Sequence, residues 1–208
     1  MKIIENATLR NPSKLGIKPV WDENSKILIV GSMTATDGIK KGFFYASARN
    51  QLWQLLDLCL GLEGEKSFSF LKNKLKVNCE DFDLHKMSQL QFENNKGAIR
   101  GDISQLLHEN NIAMCDIFKE CYFNKNSSLD SEIILNNSNY PYQTNKEVLQ
   151  EIVKKAKVEK VVVTSKFVEE WFKRLGIEGD FEICYVMSPS PRRGALEKKK
   201  ASWLEVFK

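Results

Sequence analysis

Along the chain, short apolar runs alternate with longer stretches whose apolar residues recur every three to four positions. Four runs read as strands covered on both faces: Lys26–Val30, Ile112–Phe118, Lys160–Thr164 and Phe181–Met187. They are short and show little strict alternation, as buried parallel strands do. Helical stripes lie between them. Asn50–Leu60 aligns Leu52, Leu55, Leu56 and Leu60, and Ile103, Leu106 and Leu107 mark a weaker helix. Asn145–Lys157 aligns Val148, Leu149, Ile152 and Val153. Ser165–Leu175 aligns Phe167, Val168, Trp171, Phe172 and Leu175. Ala195–Phe207 predicts a basic terminal helix with Leu196, Trp203, Leu204 and Phe207 as its apolar members. This alternation predicts an α/β fold with three α/β/α layers around a central, mostly parallel, four-stranded sheet. Residues 61–95 mix Lys, Asn, Phe and Asp and read as a helical insertion. Asn124–Gln143 is polar and reads as a long ordered loop.

Length and composition narrow the class. At 208 residues the chain suits a single domain over 1–208, large enough to hold its core without disulfides. With 42% apolar and 28% charged residues, neither a disordered chain nor a collagen-like fibre fits. No apolar run approaches the ~18 residues of a membrane span, and MKIIENATLRNPSK has no signal core. The expectation is a cytoplasmic monomer with no membrane partner. The five cysteines form no CxxC pair, so buried thiols are expected, with no metal and no cofactor. The net charge of +4 is mild, but residues 192–208 carry six basic side chains against Glu197 and Glu205.

In open parallel sheets, ligands bind beyond the carboxyl ends of the strands. The segments there read GSMTATDGIKKGFFYASARN, KECYFNKNSSLDSEI, SKF and SPSPRRG. Gly31 at a strand end permits close backbone approach. Phe43, Phe44 and Tyr45 precede an expected helix start at Ser47; they either fill the core or stack on a ligand. Neither GxxxxGK[ST] nor GxGxxG is present, so nucleotide-binding fingerprints fail. In SPSPRRG two prolines stiffen the loop, and Ser188 and Ser190 supply hydroxyls suited to phosphate oxygens. It is either a rigid connection with a solvated charged face or a wedge pressed on a DNA backbone. Asp116 lies inside an apolar strand, where burial raises a carboxyl pKa. Asp130, in SSLDSEI, serves equally as a helix N-terminus. Lys166 reads as a solvated lysine, which predicts no lyase step. His85 and His108 lie away from the four loops.

These stretches together resemble the uracil-DNA glycosylase superfamily, nearest its mismatch-specific uracil and hypoxanthine (deoxyinosine) branches. KILIVGSMTATDGIKKGFFYASARNQLWQLL resembles the first motif, with its strand, glycine turn, aromatic and Asn-x-aromatic-Trp helix start. IAMCDIFKECYFNKNSSLDSEI, KVVVTSKFVEEWF and YVMSPSPRRGALEKKKASWLEVF follow in the family's order. The chain departs from the usual pattern at Met33 and Ser188, where most branches carry a polar catalytic group. The hypoxanthine-type branch also lacks the first, and its catalytic Asn corresponds to Asn50.

The resemblance implies a monofunctional DNA glycosylase that flips out a deaminated base, uracil or hypoxanthine, and hydrolyses its N-glycosidic bond in base excision repair. The alternative is an inactive member that binds DNA or a base through the same cleft. Asn50 and Ser188 are the candidate catalytic residues. Gly31, Ser32, Phe44, Tyr45, Asp116 and Thr164 are candidates for holding the base, with Tyr45 or Phe44 as stacking wall. Ser190, Arg192, Arg193, Lys198, Lys199 and Lys200 are candidates for DNA contact. The implied partner is DNA containing a deaminated base.

Overall fold

Strand β1 (Thr8–Arg10) leads into β2 (Ile27–Gly31), α1 (Thr36–Lys41) and α2 (Leu52–Leu60). Helix α3 (100–109) then precedes β3 (Ile112–Asp116), β4 (Phe118–Phe123), β5 (Ile133–Ile134) and β6 (Gln143–Thr144). The chain closes with α4 (Lys146–Ala156), β7 (Lys160–Val163), α5 (Lys166–Leu175), β8 (Glu182–Tyr185) and α6 (Leu196–Val206). This is a computed structural model, and it describes residues 7–47, 49–71, 100–124 and 129–208.

The four apolar runs form one sheet in the order β3-β2-β7-β8, and every neighbouring pair is parallel. Alternate side chains point to opposite faces of a strand, so each strand feeds two cores. Ile29, Met114 and Val162 face α2, α3 and α6 through Leu55, Leu107 and Trp203. Leu28, Val30, Val161 and Val163 face α4 and α5 through Leu149, Ile152, Val168 and Phe172. The expected three layers are therefore present.

The expected second strand, Ile112–Phe118, stops at Asp116. Ile117 N and Phe118 N still donate to Gly31 O and Ser32 O, at 2.8 and 3.0 Å. The chain then turns into β4, which pairs antiparallel with β1, β5 and β6 in a second sheet. Phe118, Cys121 and Phe123 point inward while Lys119 is exposed, so this strand is half-buried. Within the expected loop 124–143, β5 and β6 add two short strands. The helix expected from Ser47 begins instead at Leu52, with Gln51 at its N-cap; just before it, Asn50 Oδ1 accepts from Leu52 N at 2.9 Å in an Asx turn.

In the expected insertion over 61–95, residues 61–71 carry a short 3-10 turn, Gly64–Lys66, and a helical start anchored by Asp57, which accepts from Phe68 N and Ser69 N. The remainder of it, with His85 and Cys79, lies outside the described residues. Cys115 and Cys121 are buried thiols and Cys59 and Cys184 half-buried ones. Among the described residues no helix is long and apolar enough to cross a membrane.

Candidate active site

The carboxyl edge of the parallel sheet brings together residues from all its strands. Gly31 closes β2 and stands in register with Asp116 at the end of β3. A Cβ on Gly31 would lie 2.5 Å from Tyr45 Oη and nearer still to Asp116 Oδ1, so only glycine fits between them. Tyr45 takes a left-handed backbone with φ of 53°, uncommon outside glycine. Its carbonyl accepts from Trp53 Nε1 at 3.2 Å. Among the described residues the Tyr45 hydroxyl is buried without a well-formed hydrogen bond; the Thr164 hydroxyl beside it, which partly counters the upward shift of the phenol, donates to Val30 O at 3.1 Å. Burial first, then the Asp116 charge, pushes the phenol pKa above its ordinary value. Of the three consecutive aromatics, Phe43 and Phe44 belong to the core, Phe43 packing on Trp53.

Asp116 is buried, and Thr34 Oγ1 donates to its Oδ2 at 2.6 Å. Burial pushes its pKa up to about 7, against partial opposition from the Thr34 hydrogen bonds. A second carboxylate lies close by. Asp130 accepts from Ser32 Oγ at 2.5 Å and from Ser165 Oγ at 3.0 Å, so it joins the ends of β2 and β7. Ser165 also caps α5 by accepting from Val168 N. Beside Asp116 a hollow of about 30 Å³ opens between Phe44, Phe118 and Asn145, room for one water-sized group. A larger cavity of about 210 Å³ flanks β3 between Trp21, Phe43, Trp53, Arg100 and Met114. It lies beside the strand rather than beyond its carboxyl end. Phe44 lines both.

The second group of residues follows β8. Gln51 N donates to Pro189 O at 3.0 Å, which sets Asn50 beside the Ser188 loop. Ser188 Oγ accepts from Ser190 N at 3.3 Å. Met187 is held from α6 on both sides: Trp203 Nε1 donates to its carbonyl and its amide donates to Ser202 Oγ. Pro191–Arg193 form a 3-10 turn that leaves Arg192 and Arg193 exposed. Lys198 is exposed and Lys200 half-buried.

Lys199 requires a correction. It was expected on the phosphate-binding surface, but its side chain is fully buried and its ammonium donates to Gln51 Oε1 and Ser190 O. The reason is helical phase. Leu196, Lys199, Trp203 and Val206 fall at i, i+3, i+7 and i+10, which is the inward stripe of α6. The spacing places Lys199 on the inward face of α6; its partners Gln51 and Ser190 keep the ammonium inside.

Thr34, Gln51, Asn145 and Ser165 were not singled out from sequence. Their partners are remote: Thr34 meets Asp116, and Asn145 Nδ2 donates to Asp116 O at 2.9 Å. No local spacing announces such pairs.

No protein-family profile matches the chain. A protein named hypoxanthine DNA glycosylase from Methanosarcina barkeri is 24% identical over 197 residues, covering 94% of this chain and 98% of that one. One of the same name from Methanosarcina acetivorans is 38% identical over 48 residues, 23% of this chain and 30% of the relative. The solution NMR structure of a candidate uracil DNA glycosylase from Methanosarcina acetivorans superposes with a TM-score of 0.57 at 20% identity, covering 96% and 97% of the two chains. The chain therefore has the fold of that uracil DNA glycosylase structure and is similar, over nearly its whole length, to a protein named hypoxanthine DNA glycosylase.

Proposed function

We propose that this protein is a monofunctional DNA glycosylase that flips a deaminated base, hypoxanthine or uracil, out of DNA and hydrolyses its N-glycosidic bond. The observation that carries this is the buried Asp116 carboxyl. It is held by Thr34 and pressed against Gly31 and Tyr45 at the sheet's carboxyl edge, where burial pushes its pKa up to about 7. Hypoxanthine and uracil each present a carbonyl beside a ring N–H. A neutral carboxyl donates to the first while accepting from the second. The departing base carries negative charge, which a neutral donor stabilises and a carboxylate repels. Backbone amides around Gly31 and Ser32 add donors at the same edge, and Tyr45 supplies a stacking face.

Water must then reach an electron-poor sugar carbon. Asp130, fixed by Ser32 and Ser165, is the carboxylate suited to take the proton of that water. Asn50, whose Oδ1 accepts from Leu52 N at the edge of the facing loop, is the residue that orients water or base. Ser188 contributes a hydroxyl from the facing loop. Arg192 fills the place of the flipped base, while Ser190, Arg193, Lys198 and Lys200 hold phosphates. The protein acts as a cytoplasmic monomer on DNA.

A second reading, a binding module without catalysis, is favoured by Asn50 Oδ1 being engaged in a local turn with Leu52 N and by Met33 lying buried where most branches carry a polar group. Incubation of purified protein with inosine- and uracil-containing oligonucleotides, followed by alkaline cleavage at abasic sites, separates the two. Cleavage supports the enzyme. Tight binding of those oligonucleotides without cleavage supports the module. Loss of both activities sinks both readings. Asn50→Ala is expected to lower turnover tenfold or more, beyond the ~1 kcal/mol its lost turn hydrogen bond costs in stability.

A further inference from the structure

Lys199 projects from α6 into a fully enclosed position. Its ammonium donates to Gln51 Oε1 and to Ser190 O, each at 2.6 Å. Gln51 stands between Asn50 and the first residue of α2. Ser190 opens the turn that carries Arg192 and Arg193, and its carbonyl also accepts from Arg193 N at 3.1 Å. The ammonium thus joins two segments that are remote in sequence and both belong to the candidate site. Burial lowers its pKa from the ordinary lysine value. An enclosed charge is costly unless good acceptors surround it, and an apolar side chain would fill the stripe at less cost. Lysine suits the place because its three donors diverge from one point, and here two acceptors approach from different elements.

We infer that Lys199 is a positioning residue: it ties the start of α2, and with it Asn50, to the arginine-bearing turn at 190–193, so that the base-handling and DNA-wedging parts of the site keep one spacing. What is being positioned rests on the glycosylase reading; the tie itself does not. The Gln51 N to Pro189 O bond runs parallel to it, so the two segments are pinned by one backbone and one side-chain contact. A flipped base and its wedge must be placed together, and small misplacements cost catalysis more than binding.

The test compares Lys199→Met, which keeps the length and removes the donors, with wild-type protein. The expected result is a tenfold or greater fall in the single-turnover excision rate, with the slope of log affinity against log salt unchanged. Gln51→Leu should reproduce most of the fall, and the double variant should be little worse than either single one. Amide hydrogen exchange over 187–194 should quicken at least tenfold in Lys199→Met.

A second measurement needs no variant and no activity. In the wild-type protein, acetic anhydride followed by mass spectrometry should label Lys199 at least tenfold more slowly than Lys198. If the salt slope falls by about 0.9, Lys199 contacts a phosphate and the inference is overturned. Labelling of Lys199 as fast as Lys198 overturns it too, as does a folded Lys199→Met with unaltered exchange and rate. If wild-type protein excises no base, the glycosylase reading fails, while exchange and labelling still judge the tie.

Discussion

Around residues 187–190 the polar groups of the loop are matched. Trp203 and Ser202 hold Met187, Gln51 N holds Pro189 O, and Lys199 and Arg193 N hold Ser190 O. Around Gly31 the opposite holds. Tyr45 adopts a left-handed backbone and buries an unpaired hydroxyl, and Asp116 is enclosed with a neutral hydroxyl as its side-chain partner. Each such departure costs of order 1–3 kcal/mol and persists because the surrounding core over-determines it. On the proposed glycosylase reading, the contrast separates two tasks. A loop that must present arginines at a fixed place is stabilised by satisfied polar contacts. A pocket that must greet a polar ligand keeps polar groups in reserve, since a fully satisfied carboxyl would have nothing to offer a base.

Four experiments would break or sharpen this contrast, and the largest effect belongs to Asp116. Folded, it holds its proton up to about pH 7, against an ordinary value of 3.8. The stability this confers is fully present below about pH 4 and is lost as pH rises through 7, by ~4 kcal/mol at most. Denaturation at pH 5 and pH 8 should show that decline, and Asp116→Asn should flatten it and be the more stable protein at pH 8. Excision should likewise fall above pH 7 in wild type as the carboxylate forms. An unaltered pH slope in Asp116→Asn would assign the titration to another group.

Gly31→Ala comes next. Its Cβ must displace Tyr45 or Asp116 inside a packed edge. Excision should drop at least a hundredfold, about 2.7 kcal/mol of barrier, with a stability loss of ~1–3 kcal/mol. Near-normal excision would show that the close approach at Gly31 is dispensable.

Tyr45→Phe removes the buried unpaired hydroxyl and retains the ring. Stability should rise by ~1–2 kcal/mol in urea titration. A loss would mean that the hydroxyl is already engaged and that the reserve attributed to this region is absent.

The smallest effect is expected on the loop side. Lys198→Ala with Lys200→Ala should flatten the log affinity–log salt slope by up to about 2 and weaken duplex binding by roughly tenfold at low salt. An unchanged slope would make this face of α6 merely solvated and move the DNA surface elsewhere.

Much of the fold is legible from the residues because local forces set it. The four strand cores and five helical stripes follow from apolar spacing, and the helix starts and ends agree within a few residues. Strand β4 escaped because Lys119 and Glu120 interrupt its apolar residues, leaving only one buried face to see. The candidate site was legible only in part. Gly31 and Asp116 could be singled out, one as a glycine at a strand end and the other as a carboxylate in an apolar run. That they touch, and that Thr34 secures one of them, depends on β2 and β3 being neighbours in register.

Lys199 marks the boundary between the two sources of information most clearly. The amino-acid sequence determined that α6 would form, which residues share its inward stripe, and that a lysine lies among them. Whether that lysine turned back to solvent along its flexible stem or stayed inside was decided by Gln51 and Ser190, two acceptors from distant segments. Helical spacing is a local property of the backbone and can be read along the chain. The solvation of a charge depends on what surrounds it, and those surroundings exist only once the chain has packed.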